Sequence, residues 1–173
     1  RAALLHAAGG EGRGRGARAP QATGGPKCGP AFEPHFYHLP NHEQGTTNVA
    51  FDVKLEPNYD RVHEWRDSTP LDGKAYQTGP MIEFRKGALI SQAKKLADIP
   101  ADVWLHVELT AKIGEGRDNT FDLTLTLPGA RPQHVEKLQF VSKQCAKLDW
   151  LGFSSKGASP RFLPIPAQLK LAV

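Results

Sequence analysis

The sequence predicts an all-β protein in which two antiparallel sheets pack face to face as a sandwich. Segments in which apolar and polar residues alternate recur at intervals of about 10 to 20 residues, and each has a single apolar face. The 173 residues contain no alternation of strands with helical patterns, which a parallel sheet would require. A hydrophobic fraction of 39% is sufficient for the core of one domain.

Five segments carry the alternating pattern and are predicted to contain strands. In the first, Val49, Phe51 and Val53 lie on one face, because successive side chains of a strand point to opposite sides. Lys86-Gly87 marks the tip of a hairpin in the second segment. In chain order the segments are 48–56 (NVAFDVKLE), 81–91 (MIEFRKGALIS), 102–114 (DVWLHVELTAKIG), 121–129 (FDLTLTLPG) and 167–173 (AQLKLAV).

Two further segments are compatible with a helical turn, and a third is a turn between strands. Residues 91–100 (SQAKKLADIP) are short and end at Pro100, so at most one or two helical turns are expected there. Residues 131–140 (RPQHVEKLQF) are the other helical candidate. Residues 114–119 (GEGRDN) are predicted to form a hairpin turn.

The N-terminal part of the chain differs in composition from the rest. Residues 8–27 are rich in glycine, arginine, alanine and proline and have almost no large apolar side chain. Such a segment cannot bury enough surface to offset the entropy lost on ordering. Residues 1–27 are therefore predicted to be a disordered tail or linker, and residues 28–173 a β-sandwich domain. Because the chain begins at Arg1, it is expected to be a fragment or a processed product.

The positive charge is concentrated in this tail. The whole chain has a net charge of +4, and residues 1–27 contribute five cations and one anion, so the remainder is neutral. A neutral body lacks the charge expected for binding a phosphate backbone, so no nucleic-acid partner is predicted for it. The GRGRG sequence resembles RNA-binding arginine-glycine segments, although a linker is the favoured interpretation. No apolar run is long enough to span a bilayer, so no membrane partner is predicted.

One segment does not follow the pattern of the others. In residues 63–67 (HEWRD), His63, Trp65 and Asp67 share one face of a strand, Glu64 and Arg66 share the other, and neither face is apolar. Such a strand is expected at a sheet edge or facing a ligand groove. Trp65 is accordingly predicted to point away from the core.

A second tryptophan is also predicted to lie on a polar face. Trp104 shares its face with His106 and Glu108, opposite the apolar side of the strand. An exposed tryptophan beside hydrogen-bonding side chains is the usual form of a sugar-binding site, because the ring stacks on the C–H face of a sugar. The alternative is a tryptophan covered by a loop. Trp150, between Asp149 and Leu151, is predicted to belong to the core.

The order of these segments resembles a known class of domain. The runs VAFDVKLEP, HEWRD, YQTGPMIEF, IPADVWLHVELTAKIG, FDLTLTLPG and LDWLGFSS, within residues 27–173, resemble concanavalin A-like, laminin-G-like jelly-roll domains of exported bacterial polysaccharide-acting proteins. The resemblance implies that the Trp104 strand and the next strand are neighbours, and that the last strand returns beside the first. It also implies an extracellular or periplasmic location. Pro164 and Pro166 depart from the pattern and predict a displaced or edge closing strand.

Two segments contain side chains of the kinds that bind metal ions. Residues 33–43 (EPHFYHLPNHE) contain Glu33, His35, His38, His42 and Glu43. Imidazole and carboxylate groups bind zinc or copper, but the prolines and the spacing favour a loop with solvated histidines. Laminin-G-like domains sometimes bind calcium at a loop rim, which leaves calcium open for the acidic residues of 114–119, although a charged turn is favoured. No other cofactor is predicted.

Catalysis is not favoured by the residues. Glu64 and Glu108 are the candidate acid pair for glycoside hydrolysis, but Arg66 beside Glu64 would lower the pKa of this carboxyl, and a general acid needs that pKa raised. No serine-nucleophile, cysteine-hydrolase, P-loop or dinucleotide-binding motif occurs. Cys28 and Cys145, the two cysteines, are either one disulfide or two free thiols.

The leading interpretation is a non-catalytic accessory module that binds carbohydrate or packs against a neighbouring catalytic domain. The alternatives are a glycoside hydrolase or polysaccharide lyase of the same fold, and a structural interaction domain without ligand. Stacking would fix the sugar plane, and polar side chains would bind its hydroxyl groups. The predicted carbohydrate-binding residues are Trp65, Trp104, His63, Asp67, Glu64, Arg66 and His106.

Overall fold

Every regular element in the described part of the chain is a β-strand. The computed structural model describes residues 3–4, 22–23, 36–57, 60–155, 161–165 and 169–172. No helix in those residues is long and apolar enough to cross a membrane. The strands are β1 (Ala3–Leu4), β2 (Ala22–Thr23), β3 (Phe36–His38), β4 (Gly45–Leu55), β5 (Asp60–Asp67), β6 (Gln77–Arg85), β7 (Ala88–Ser91), β8 (Lys94–Asp98), β9 (Trp104–Ile113), β10 (Thr120–Thr126), β11 (Gln133–Gln139), β12 (Trp150–Ser155), β13 (Arg161–Ile165) and β14 (Leu169–Ala172).

The strands form two antiparallel sheets, as the sequence predicts. The eight-stranded sheet has the order β1-β14-β4-β9-β10-β11, with β13 pairing with β4 and β2. The six-stranded sheet has the order β3-β12-β5-β6-β7-β8. The predicted all-β sandwich is therefore confirmed, and β9 and β10 are neighbours as expected for the Trp104 strand and the one after it.

The apolar faces of the strands supply the core between the sheets. In β4 and β9 burial alternates residue by residue, with Phe51, Val53, Leu105 and Val107 at most 3% exposed. The intervening side chains of these strands are polar or partly exposed and form the outer face of the eight-stranded sheet. Period-two alternation thus fixes the orientation of these strands, because a shift by one residue would bury the polar set.

Both helical candidates are strands, which corrects the prediction. Residues 91–100 contain β8, which follows a turn where Gln92 and Ala93 have φ of 45° and 65° and pairs with β7. Residues 131–140 contain β11, which pairs with β10. Local propensity is weak in both segments, and pairing with a neighbouring strand decides their conformation. The predicted hairpin turns at Lys86-Gly87 and at residues 114–119 are both present.

The closing segment forms two short strands. Both β13 and β14 pair antiparallel with β4, and Leu169 lies opposite Val49. The last strand therefore returns beside the first long strand, as the resemblance implies. Pro164 is accommodated within β13, opposite Val53.

Much of the predicted tail lies outside the described residues. Of residues 1–27 only Ala3–Leu4 and Ala22–Thr23 are described, and they pair with β14 and β13 respectively. Disorder of the tail stays a prediction. Cys28 also lies outside the described residues, whereas Cys145 is a buried free cysteine.

Gly114, which directly follows β9, provides a test of the turn at residues 114–119. Its φ is +84°, and a Cβ at this position would lie 2.6 Å from the carbonyl oxygen of Glu43. We expect Gly114→Ala to lower the free energy of unfolding by about 2 kcal/mol, through left-handed strain and this clash. Gly129→Ala is the matched control, since Gly129 has φ of +70° and open space around it. Equal losses in urea denaturation for the two variants would contradict the steric part of this account.

Candidate functional site

The HEWRD segment lies in the middle of a sheet, so of its two expected positions, a sheet edge or a place facing a ligand groove, the edge is wrong. It belongs to β5, which pairs with β12 on one side and β6 on the other. The register with β6 shifts between Glu64 and Arg66, which indicates a β-bulge. The two faces of β5 therefore have separate roles, one toward the core and one toward the outside of the six-stranded sheet.

The inward face of β5 contains His63 and Trp65, so the predicted exposure of Trp65 is wrong. Both side chains are 0% exposed, and Trp65 Nε1 donates a hydrogen bond to His63 Nε2 at 3.1 Å. The imidazole also lies 4.7 Å from the ring centroids of Phe51 and Phe153. Because the indole N–H and the imidazole nitrogen that accepts it are each other's hydrogen-bond partners, the pair can be buried among apolar residues.

The His63 imidazole is neutral at physiological pH. Burial lowers its pKa to about 3, and a backbone hydrogen bond with Gly152 opposes this shift only in part. A neutral ring can accept the hydrogen bond from Trp65, whereas a protonated ring cannot. His63 is thus part of the core and does not contact any surface ligand.

Asp67, at the end of β5, is also committed to the protein itself. It is 2% exposed and accepts hydrogen bonds from the backbone N–H groups of Thr69, Ala146 and Lys147 at 2.9, 3.0 and 3.3 Å. Burial by itself would raise its pKa, but the hydrogen bonds from Thr69, Ala146 and Lys147 outweigh it and the pKa is lowered. Asp67 therefore holds the loop between β11 and β12 in place, and its predicted contact with sugar hydroxyls has no support in this geometry.

On its outward face β5 contributes Arg66 to a row of aromatic rings from neighbouring segments. The guanidinium carbon of Arg66 lies 4.2 Å from the ring centroid of Tyr76 and 4.1 Å from that of Trp150. On its far side Trp150 stacks on Tyr37, with centroids 5.8 Å apart and planes inclined by 20°. Glu64 forms an ion pair with Arg66. We call Tyr37, Trp150, Arg66 and Tyr76 the aromatic stack.

Trp150 is part of this stack and is only half-buried, so its predicted core position is wrong. It lies directly opposite Arg66 in the pairing of β12 with β5, and cross-strand partners share a face. Leu151 and Phe153, which alternate with it, point into the core instead. The outward orientation of Trp150 could have been read from the sequence WLGF. If Leu151 and Phe153 face the core, strand alternation places Trp150 on the outer face.

The aromatic stack combines accessible rings with a buried acid. Tyr37 is 51% exposed and Tyr76 is 38% exposed, whereas Glu64 is 7% exposed. Thr78 donates a hydrogen bond to Glu64 at 3.4 Å. Tyr76 and Thr78 also line an adjacent groove of about 310 Å³, together with Lys74, Ala75, Gln77, Val141 and Ser142. Two cation–π contacts to Arg66 help to hold the Tyr76 and Trp150 rings in position before any ligand arrives.

A second polar surface lies on the outer face of the eight-stranded sheet. Trp104 is 40% exposed there, which confirms its predicted orientation. His106 Nδ1 lies 2.7 Å from Asp52 Oδ1, and its Nε2 lies 3.0 Å from Glu108 Oε1. Burial is the largest single influence on the pKa of His106 and lowers it, but the hydrogen bonds and charges of Asp52 and Glu108 together outweigh burial, so the pKa is raised. Both ring nitrogens are therefore engaged by carboxylates of the same surface.

The structure divides the predicted binding residues among three places. Glu64 and Glu108 lie in different sheets, each on an outer face, so the acid pair considered for glycoside hydrolysis does not form. Of the seven predicted binding residues, Glu64 and Arg66 lie on the aromatic-stack face of the six-stranded sheet. Trp104 and His106 lie on the outer face of the eight-stranded sheet. The other three, His63, Trp65 and Asp67, are buried in the interior. Sequence reasoning missed Tyr37 and Tyr76, for which the chain offers no periodic signal because they occupy a short strand and a loop.

The metal candidates do not converge in the described residues. Glu33 and His35 lie outside them, and His42 is buried with its backbone paired to Leu148. No group of three or more potential metal-ligating side chains occurs in the described part of the chain. In the 114–119 turn, Asp118 accepts a hydrogen bond from the Thr120 N–H and Asn119 accepts one from Arg117. Calcium binding there stays a prediction.

Comparison with known proteins supports the fold. No protein-family model and no curated protein sequence matches the chain. An endo-β-1,4-glucuronan lyase from the fungus Trichoderma reesei superposes with a TM-score of 0.53 and 12% identity, over 90% of this chain and 81% of that one. A carbohydrate esterase from Shiga toxin-encoding bacteriophage phi24B superposes with a TM-score of 0.52 and 16% identity, over 100% of this chain and 88% of the esterase chain. An alginate lyase from Chlorella virus superposes with a TM-score of 0.51 and 11% identity, over 99% of this chain and 89% of the lyase chain.

These similarities show a jelly-roll β-sandwich fold, consistent with a concanavalin-like sandwich, that the chain has in common with two polysaccharide lyases and a carbohydrate esterase. At such low identities they speak for the fold alone, and function has to be argued from the site. The finer resemblance to laminin-G-like domains and the exported setting stay predictions.

Proposed function

We propose that the protein is a non-catalytic module that binds polysaccharide on the outer face of its six-stranded sheet, through the aromatic stack. The observation that carries this proposal is the arrangement of Tyr37, Trp150 and Tyr76 around the Arg66 guanidinium. Ring faces stack on the apolar C–H patches of sugars, and fixed rings lose little entropy when a ligand binds. The proposal includes an extracellular or periplasmic location, where such a module would meet polysaccharide.

The polar groups next to the rings suit a sugar ligand. Thr78 and Glu64 lie beside Arg66 in neighbouring strands, and Tyr76 leads into the groove that Gln77 and Ser142 also line. A bound sugar presents hydroxyl groups around its edge and C–H groups on its faces. Rings flanked by hydroxyl, amide and carboxylate groups therefore match both parts of the ligand.

Catalysis has less support at this face. A polysaccharide lyase needs a base that removes a proton next to a carboxyl group, and a hydrolase needs two carboxylates flanking the bond. On the aromatic-stack face, Glu64 is paired with Arg66, and the one histidine of β5, His63, is buried on the other side. The structural neighbours include two lyases, so lyase activity is the rival function. Release of unsaturated sugar ends, followed by ultraviolet absorbance, would detect it directly.

The test is a polysaccharide-binding screen followed by titration of the tightest ligand against matched variants. We expect Tyr37→Ala and Tyr76→Ala each to weaken binding by about tenfold, because each removes one stacking surface. Trp104→Ala is the control, since it removes an exposed ring from the opposite outer face. Binding lost only in Trp104→Ala would move the site to the eight-stranded sheet, and the absence of binding to any polysaccharide would refute the proposal.

A further inference from the structure

The charge of Arg66 is already neutralised within the protein, and this bears on the class of polysaccharide. We propose that Glu64 makes the aromatic-stack face selective for neutral polysaccharides over uronic-acid polysaccharides, by occupying the Arg66 guanidinium that would otherwise bind a sugar carboxylate. This inference rests on the proposed function and adds a specificity-determining residue to it.

Few N–H groups of the Arg66 guanidinium remain available to an external anion. Its Nη2 donates to Glu64 Oε1. Tyr76 and Trp150 both pack against the guanidinium group, and the buried Nε makes no hydrogen bond. The side chain as a whole is 18% exposed. Arginine binds a carboxylate best with two parallel N–H groups along one edge. With Nε buried and Nη2 bonded to Glu64, an external carboxylate would have to compete with Glu64 for such an edge.

The neighbouring charges also balance. Arg85 lies 3.8 Å from Glu83 on β6, and Lys147 lies 3.2 Å from Asp149 just before β12. Lys74 is exposed in the loop beside Tyr76, where salt screens its charge. The face therefore lacks the single-sign field that would concentrate an anionic polymer.

Glu64 itself acts on the two ligand classes in opposite ways. Its carboxylate can accept hydrogen bonds from sugar hydroxyl groups, which are strong when the acceptor is charged. A uronate carboxylate that approached Arg66 would meet the Glu64 carboxylate already in place, and two carboxylates beside one guanidinium repel each other at short range. Selectivity of this kind arises from rejection of the wrong ligand as well as from attraction of the right one.

The decisive variant is Glu64→Gln, which keeps the shape and an oxygen acceptor but frees the charge of Arg66. Binding would be measured with size-matched neutral glucans, xylans or mannans and with alginate and glucuronan. We expect the unaltered protein to prefer the neutral polymers. In Glu64→Gln the ratio of uronate to neutral affinity should rise by about tenfold, the effect expected from one unmasked cation. The gain should shrink as ionic strength increases.

Glu108→Gln is the matched control, because it removes the same charge from the opposite outer face. It should leave the affinity ratio unchanged, and an equal shift in this variant would assign the effect to net charge. Preference of the unaltered protein for uronates would overturn the inference yet leave polysaccharide binding intact. This comparison uses only the unaltered protein, so it can overturn the inference even if Glu64→Gln folds poorly. Binding of no polysaccharide at all would instead refute the function on which the inference rests.

Discussion

Replacing Trp65 with alanine is expected to lower the free energy of unfolding by about 3 to 5 kcal/mol. The indole is completely buried between the sheets, and its removal leaves a cavity and deprives His63 of its hydrogen-bond donor. Urea denaturation followed by circular dichroism measures the change. A loss of this size is a large fraction of the stability of a single domain, so partial unfolding at room temperature is the expected appearance of the variant.

Trp104→Ala provides the comparison for this experiment. The same side chain is removed, but Trp104 is 40% exposed on the outer face of the eight-stranded sheet. We expect a loss of about 1 kcal/mol or less. Similar losses for the two variants would contradict the assignment of Trp65 to the core.

Stability is expected to decrease as the pH falls from about 6.5 toward 3, because of His63. The unfolded chain protonates this histidine near its ordinary pKa of 6.5, whereas the folded protein resists protonation until about pH 3. The unfolded state therefore binds more protons within this window, and the free energy of unfolding falls by up to about 1.4 kcal/mol per pH unit. Denaturation midpoints measured across the window report the slope.

His63→Gln separates this contribution from the others. Glutamine keeps an acceptor for Trp65 Nε1 and does not titrate, so the slope above the range of carboxylate titration should become shallower. His42, whose pKa burial also lowers, accounts for part of the remaining slope. His106 acts in the opposite sense, since its raised pKa stabilises the fold at low pH and that contribution is lost as the pH rises through it. An unchanged slope in His63→Gln would show that His63 is protonated in the folded state.

The alternating strands could be predicted from sequence because one physical effect decides them. In β4, β9 and β10 each apolar face is continuous, and burial of that face fixes both strand type and orientation. β8 and β11 have no such face, and their conformation depends on partners that a local pattern does not reveal. Propensity alone favoured a helical turn there.

The interior of β5 could not be predicted for a different reason. The polarity of His63 and Trp65 suggested a surface, but their mutual hydrogen bond and the rings of Phe51 and Phe153 make burial favourable. Those phenylalanines come from β4 and β12, so the environment of His63 is set by tertiary structure. By contrast, the pairing of Glu64 with Arg66 across one intervening residue could be read from the chain.

The Asp67 carboxylate connects the stability of the interior with the function of the surface. It fixes the backbone of Ala146 and Lys147 just before β12 begins at Trp150, and the Asp149 N–H donates to the Arg66 carbonyl in the same region. The position of Trp150 in the aromatic stack thus depends on a carboxylate that is itself almost completely buried. In a genetic screen scored by binding alone, such a residue would be indistinguishable from a contact residue, and only a parallel measurement of protein abundance would tell them apart.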